Sequence, residues 1–447
     1  MRIAPALRRG ALRAAPTPSE LLRASAPRNP LGRIRLPEEL AAVTSVGEEA
    51  PPESAGLTSR QVSRIWEAAC ALYRSAVHPA LALCVRRHGS VVLNRAIGHA
   101  RGNGPNDPPE APKIRATPET PFCVYSTSKA LTALLVHLLH ERGELSIFDR
   151  VTRYIPAYGQ HGKERTTIAH VLAHRAGVPT IPRDLLDLAR IEDREFIVRV
   201  LCQAKPLVRP GSLLAYHALS GGFILGEIVQ RVTGESIRQL LAREILGPLG
   251  FRWTNYGVAP EDVPLVAPAY RTGPPLLPPL SLLAQRALGA PLERVVELSN
   301  DPRFLTAVVP AANVITTAEE LSRFFEIFRR GGELDGVRVM RPQTLRLALT
   351  EQARLELDLT LLLPGRFSYG LMLGAKVVSL FGLDTDLAFG HLGLINIMGW
   401  ADPERAIACG LLTSGKALIY PEIHRFYMVM QTIASEIPKV PPEQRPF

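Results

Sequence analysis

Ser126 and Lys129 stand three residues apart in FCVYSTSKALTALLVHLLHERGELS, residues 122–146, where a small polar cluster precedes a long apolar run. At the start of a helix that spacing puts both side chains on one face. An amine can take a serine proton once burial or a neighbouring cation has lowered its pKa. The helix N-terminus adds free N–H groups and a positive dipole end, suited to a developing oxyanion. Together these are the parts that acyl transfer through a serine ester requires. S-x-x-K alone occurs by chance in many chains, so the pair needs company before it carries weight.

The element that positions the pair is expected to be a helix from Ser126 to Arg142, stopped by Gly143. Ala130, Leu131, Ala133, Leu134, Leu135, Leu138 and Leu139 cover most of its circumference, so it belongs in a core. Lys129 is then buried, a costly place for an ammonium without partners. Thr127 and Ser128 read as first-turn capping residues. Two further stretches offer chemistry. VRPGSLLAYHALSGGFILGEIVQRVTG sets Tyr216 after a Pro-Gly turn and before a Gly-punctuated helix, and LAFGHLGLINIMGWADPERAIACGLLTSG sets His391 and Gly393 on a strand.

Around them, HPALALCVRRHGSVVLNRAIGHA reads as an antiparallel hairpin turning at His88-Gly89. Residues 126–250 are helical in pattern, with stops at Gly143, Gly177, Gly234 and Gly250; residues 257–305 are rich in Pro and Leu and irregular. TTAEELSRFFEIFRRGG is a helix capped at Thr317. Strand-like segments near 367–378, 387–399 and 405–413 precede a closing helix near 420–435. Strands at both ends with helices between imply one sheet built from both termini and a helical domain inserted into it. The expected division is a basic, flexible or surface-wrapping arm over 1–54, a sheet domain from 55–125 and 306–440, and a mostly helical domain over 126–305.

The motifs, in this order and with these flanks, resemble those of the class C β-lactamase-like serine hydrolases, and among these the family VIII carboxylesterases, over about residues 60–415. TTIAHVLAHRAGVP and RGELSIFDRVTRYIP add to the likeness. The resemblance implies an α/β (α+β) fold of the β-lactamase/penicillin-binding-protein type, an antiparallel sheet flanked by helices, with the active site between sheet and helical domain. It implies that Ser126 is the nucleophile, that Lys129 and Tyr216 share proton transfer, and that backbone N–H groups of Ser126 and Leu394 form the oxyanion hole. A buried lysine beside a phenol is physically suited to pass a proton from serine to leaving group. The implied substrate-binding positions are His217, His391, Leu392 and Gly393.

Two departures set the expected specificity. The family's Tyr-x-Asn is here Tyr216-His217-Ala218, and its Lys-Thr-Gly is here His391-Leu392-Gly393. Ala218 cannot bind an amide by its side chain, and neither Leu392 nor a neutral His391 attracts a carboxylate. A site without those anchors discriminates poorly in favour of β-lactams and accepts neutral apolar esters more readily. A carboxylesterase is therefore expected ahead of a β-lactamase, a D-amino-acid peptidase or an acyltransferase. A non-catalytic scaffold is the reading from another class, and it gives no physical reason for Ser126, Lys129 and Tyr216 to occur together.

Other chemistries find less support. No serine sits in G-x-S-x-G. His170 and His174 share a helix face at zinc-binding spacing, but the H-E-x-x-H glutamate is missing, so they read as core or capping residues, and neither metal nor cofactor is expected. His217 reads equally as cleft lining or helix-entry packing. TSGK, Thr413 to Lys416, looks like a reversed Lys-Thr-Gly and reads as a strand end with a turn. Cys70, Cys84, Cys123, Cys202 and Cys409 are dispersed singletons, as expected of free thiols in a reducing compartment. The net charge of +10 comes from scattered arginines without aromatic interleaving, which argues against nucleic acid and admits a loose association with anionic membrane surfaces. The arm lacks a secretory signal's apolar core and no long apolar span follows, so a cytoplasmic location is expected, with organelle targeting by the Arg-rich, acid-poor arm as the alternative and a small ester as substrate.

Overall fold

The structure, a computed structural model, describes residues 29, 31–179, 187–377 and 379–445. Most of the segment read as an N-terminal arm lies outside these residues. The part that is described departs from that reading, because Thr44–Val46 is already a strand of the main sheet, paired with Arg95 to Ile97. Glu49 then fixes it with a two-pronged bond to Arg95, at 2.8 Å for each prong.

The sheet runs, in spatial order, through Thr44–Val46, Ser90–Arg101, Ala80–Arg87, Ile407–Thr413, Ile397–Asp402, Phe389–Gly393, Met372–Leu373, Pro364–Phe367 and Ala353–Leu357. All these pairs are antiparallel. The two ends of the chain meet in its centre, where Leu81 faces Thr413 and Arg87 faces Ile407. The first hairpin turns at His88 and Gly89, both at positive φ, as a tight two-residue turn demands.

The near-continuous apolar run of the Ala80–Arg87 strand has a simple cause. Side chains alternate across the sheet, and both faces are covered. Ala80, Ala82 and Cys84 join one core with Leu321, Phe324, Phe325 and Phe328 of the Ala318–Arg329 helix. Leu81, Leu83 and Val85 join a second core with Ile65 and Leu72 of the Ser59–Tyr73 helix and Val429 and Ile433 of the His424–Glu436 helix. The Ala318–Arg329 helix is capped as read, Thr317 accepting the Glu320 N–H at 3.1 Å. All five cysteines are buried and unpaired.

Three readings change. The 387–399 segment is two strands joined by a turn at Leu394–Asn396, with Ile395 and Asn396 at positive φ. The 367–378 strand shrinks to Met372–Leu373, while Ala353–Leu357 and Pro364–Phe367 form an edge hairpin that was not read. The Pro- and Leu-rich 257–305 stretch is not irregular throughout; it holds three short helices, Leu280–Leu288, Leu292–Ser299 and Pro302–Thr306. Among the described residues, no helix is long and apolar enough to cross a membrane.

Candidate active site

The polar cluster that opens the apolar helix sits where that helix meets the sheet. The helix proper is Ser128–Glu141, and Ser126 lies in the Tyr125–Thr127 turn before it. Tyr125 has φ 47°, a left-handed conformation that a bulky side chain adopts only when its surroundings over-determine it. Those surroundings are specific: the Tyr125 hydroxyl bonds Ser299 Oγ at 2.9 Å and the Val124 N–H donates to Val314 O at 2.9 Å. Thr127 and Ser128 do not cap the helix. The Thr127 hydroxyl donates to His391 O at 3.1 Å, and Ser128 Oγ accepts the Val314 N–H at 3.0 Å, so they tie the turn to two strands.

Lys129 is only 8% exposed, and its Nζ lies 3.1 Å from Ser126 Oγ, 2.8 Å from Ala218 O and 3.2 Å from Ala311 O. Burial disfavours the ammonium and brings its pKa down to about 7. A neutral amine has two N–H donors and one lone pair. The two carbonyls take the donors, which leaves the lone pair facing Ser126, whose hydroxyl then donates to it.

Tyr216 completes the group. Its ring centre is 4.9 Å from the Lys129 Nζ, and its hydroxyl is hydrogen-bonded to Ser126. Burial raises the pKa of this phenol, opposed by the Ser126 bond. The Tyr216 N–H donates to Asp358 Oδ1 at 3.1 Å; the same oxygen accepts from Thr360 at 2.8 Å and Leu361 at 2.9 Å. Asp358 is a functional neighbour that sequence reasoning missed. An acid inside the apolar run LELDLTLLL was the available signal.

The third motif lies on Phe389–Gly393, where Gly393 allows the closest approach. A Cβ there would stand 2.5 Å from Val124 O and 2.9 Å from Ile397 Cβ. Leu394, the next residue, lines the cleft beside Ser126.

The other expected binding positions turn inward. His391 is buried with its Nδ1 2.8 Å from Leu392 O, and burial, aided by the Lys129 charge, holds its pKa at about 3. Leu392 packs partly buried against the second core. His217 accepts the Val178 N–H on Nε2 at 3.3 Å, and burial holds it at about 4. It is packing rather than cleft lining, because a neighbour of Tyr216 on a turning chain points elsewhere. His174 accepts the His217 N–H at 3.2 Å with its ring 4.5 Å from that of Tyr216, and His170 accepts the Thr167 N–H as part of a helix cap. Among the described residues no group of three metal-ligating side chains forms. Lys416 lies behind Tyr125, 5.0 Å from its ring centre, and donates to Thr413 O at 2.7 Å.

Ser126 opens into an apolar cleft. Its walls come from Leu219 and Phe223 after the second motif and from Leu288, Val295, Leu298 and Phe304 of the three short helices. No charged side chain lines it among the described residues. The arrangement offers a serine, an amine whose pKa burial has lowered, a phenol and an apolar wall, the requirements for covalent acyl chemistry on an uncharged substrate.

A family model described as Beta-lactamase matches residues 67–427. The Esterase/beta-lactamase LipL of Mycobacterium tuberculosis is 30% identical over 314 residues, covering 65% of this chain and 68% of LipL. Protein flp of Staphylococcus aureus (strain COL) is 23% identical over 257 residues, covering 56% of this chain and 45% of that protein. A penicillin-binding-protein homologue from Caulobacter crescentus superposes with a TM-score of 0.72 at 25% identity, over 85% of this chain and 99% of its own. A family VIII carboxylesterase superposes at 0.71 with 24% identity, over 84% and 98%.

Proposed function

The chain belongs to the beta-lactamase family of serine hydrolases, and from that premise we propose that it is a carboxylesterase working through an acyl-enzyme on Ser126. The observation that carries this is the 3.1 Å approach of Ser126 Oγ to a lysine that burial makes substantially neutral near pH 7, at the mouth of an apolar cleft. Lys129 takes the serine proton as Oγ attacks the ester carbonyl. The backbone N–H groups of Ser126 and Leu394 receive the developing oxyanion, where preorganised donors are worth most. The proton then passes, through the Tyr216 hydroxyl, to the departing alkoxide. Water enters by the same route in reverse and releases the acid.

Ala218 and Leu392 support ester over lactam, since neither side chain replaces the amide and carboxylate anchors that a β-lactam uses. The esterase/beta-lactamase name of LipL fits either activity, so the assay must contain both substrates. Short and medium p-nitrophenyl esters and nitrocefin are compared for wild type and Ser126→Ala. The expected result is fast ester cleavage, slow or absent nitrocefin opening, and loss of both in the variant with its fold intact. Ester turnover retained by Ser126→Ala would place the nucleophile elsewhere; efficient nitrocefin opening would replace this reading by a lactamase.

A further inference from the structure

The edge hairpin Ala353–Leu357 and Pro364–Phe367 breaks the ordinary rules for a protein surface. Leu361, Leu362 and Leu363 follow one another at its tip and are 37%, 43% and 64% exposed. Leu355 and Leu357 are half exposed on the outermost strand, and Leu213 lies exposed on the adjoining segment, joined to the hairpin by Leu214. Edge strands are normally guarded by charge or proline; here Arg354, Glu356 and Pro364 stand among exposed leucines. Leu355 and Leu362 are even at positive φ, a conformation that a turn would ordinarily assign to Gly or Asn. The tip is ordered: Asp358 Oδ1 accepts from Thr360 and Leu361, the Leu362 N–H donates to Asp358 O at 2.8 Å, and the Asp358 N–H donates to Leu363 O at 3.0 Å.

We propose that this hairpin docks the protein on a lipid surface carrying anionic headgroups, with Leu361 to Leu363 inserted among the acyl chains. Three successive side chains around a turn point in different directions, so a flat or grooved protein partner could cover only part of them. A fluid apolar medium covers all of them. The charge on the hairpin agrees. The acids of the hairpin are engaged, Glu356 with Arg175 and Glu351 with Arg366. Arg354, exposed on the outermost strand, enters no ion pair among the described residues. The same Asp358 that shapes the tip holds the Tyr216 N–H, so the docked element abuts the segment that carries the phenol. Resting on the esterase reading, docking holds the protein at a surface in which apolar esters dissolve.

The test is flotation of the full chain with vesicles of phosphatidylcholine, with and without added phosphatidylglycerol, beside soluble p-nitrophenyl acetate hydrolysis. Wild type should float with the mixed vesicles, less with phosphatidylcholine alone and less at high salt. The double variant L361S/L363S should lose about tenfold or more of its partitioning, from the lost apolar insertion, with acetate turnover unchanged. Arg354→Gln should weaken the preference for phosphatidylglycerol. Wild type that stays in solution overturns the proposal, as does an L361S/L363S variant that floats undiminished. A wild-type dimer in velocity sedimentation that L361S/L363S dissolves, without vesicle binding, would overturn it in favour of a second copy on this face. Absent acetate turnover with the expected flotation pattern would strike the esterase reading and leave the docking standing.

Discussion

At the residue level the site depends on one amine. If Lys129 must be neutral to receive the Ser126 proton, kcat/KM should fall about tenfold per pH unit below about 7 and level off above it. The three histidines nearby cannot supply that limb. His391 and His217 are held at about 3 and about 4, and His174 well below its ordinary value, all chiefly by burial. A His391→Asn variant should therefore keep the same acid limb in a stopped-assay pH series; a limb that moved with it would transfer the titration to the histidine. Ala218→Asn places a carboxamide at the cleft wall while keeping the backbone carbonyl that Lys129 uses, and should raise the nitrocefin-to-ester rate ratio. Much of this was legible, because Ser126, Lys129 and Tyr216 are side chains whose chemistry is written in their types. Asp358 and the Ala311 carbonyl were not. Each is one half of a pair between a side chain and a backbone group, 142 and 182 residues apart; the acid in the apolar run marked Asp358 as unusual, but nothing local names its partner.

At the level of elements, the Tyr125–Thr127 turn is set by its ties to neighbouring strands. Ser128→Ala would strand the buried Val314 N–H, costing about 1–3 kcal/mol, which thermal unfolding at constant pH would read directly. Gly393→Ala is a different experiment. Its Cβ meets backbone at Val124, so the third-motif strand must move away from Ser126, and kcat should drop about a hundredfold or more, as when an oxyanion donor is lost. Circular dichroism checks that the sheet survives. The elements that repeat a strong period, the Ser128–Glu141 and Ala318–Arg329 helices and the His88–Gly89 hairpin, were readable from sequence. The edge hairpin was not, since its leucines follow no burial period. The helices over 280–306 were hidden by flanking prolines that mark their boundaries and resemble loop composition.

On the scale of the whole molecule, the sheet closes only where the Ile407–Thr413 strand enters between Ala80–Arg87 and Ile397–Asp402. A chain ended before Ile407 should leave one edge of each neighbour unpaired and fail to give a cooperative unfolding transition, which calorimetry would show. Ser414 and Ala80, in contact through the serine hydroxyl, are 334 residues apart along the chain. On a translating ribosome the serine, lysine and tyrosine therefore emerge long before the strand that closes the sheet, and the turn bearing Leu394 is made only shortly ahead of it. Nascent chains carry Ser126, Lys129 and Tyr216 without the strands that hold them in place. The order of synthesis thus makes the geometry of the cleft a late product of translation, set only once the Ile407–Thr413 strand has joined the sheet.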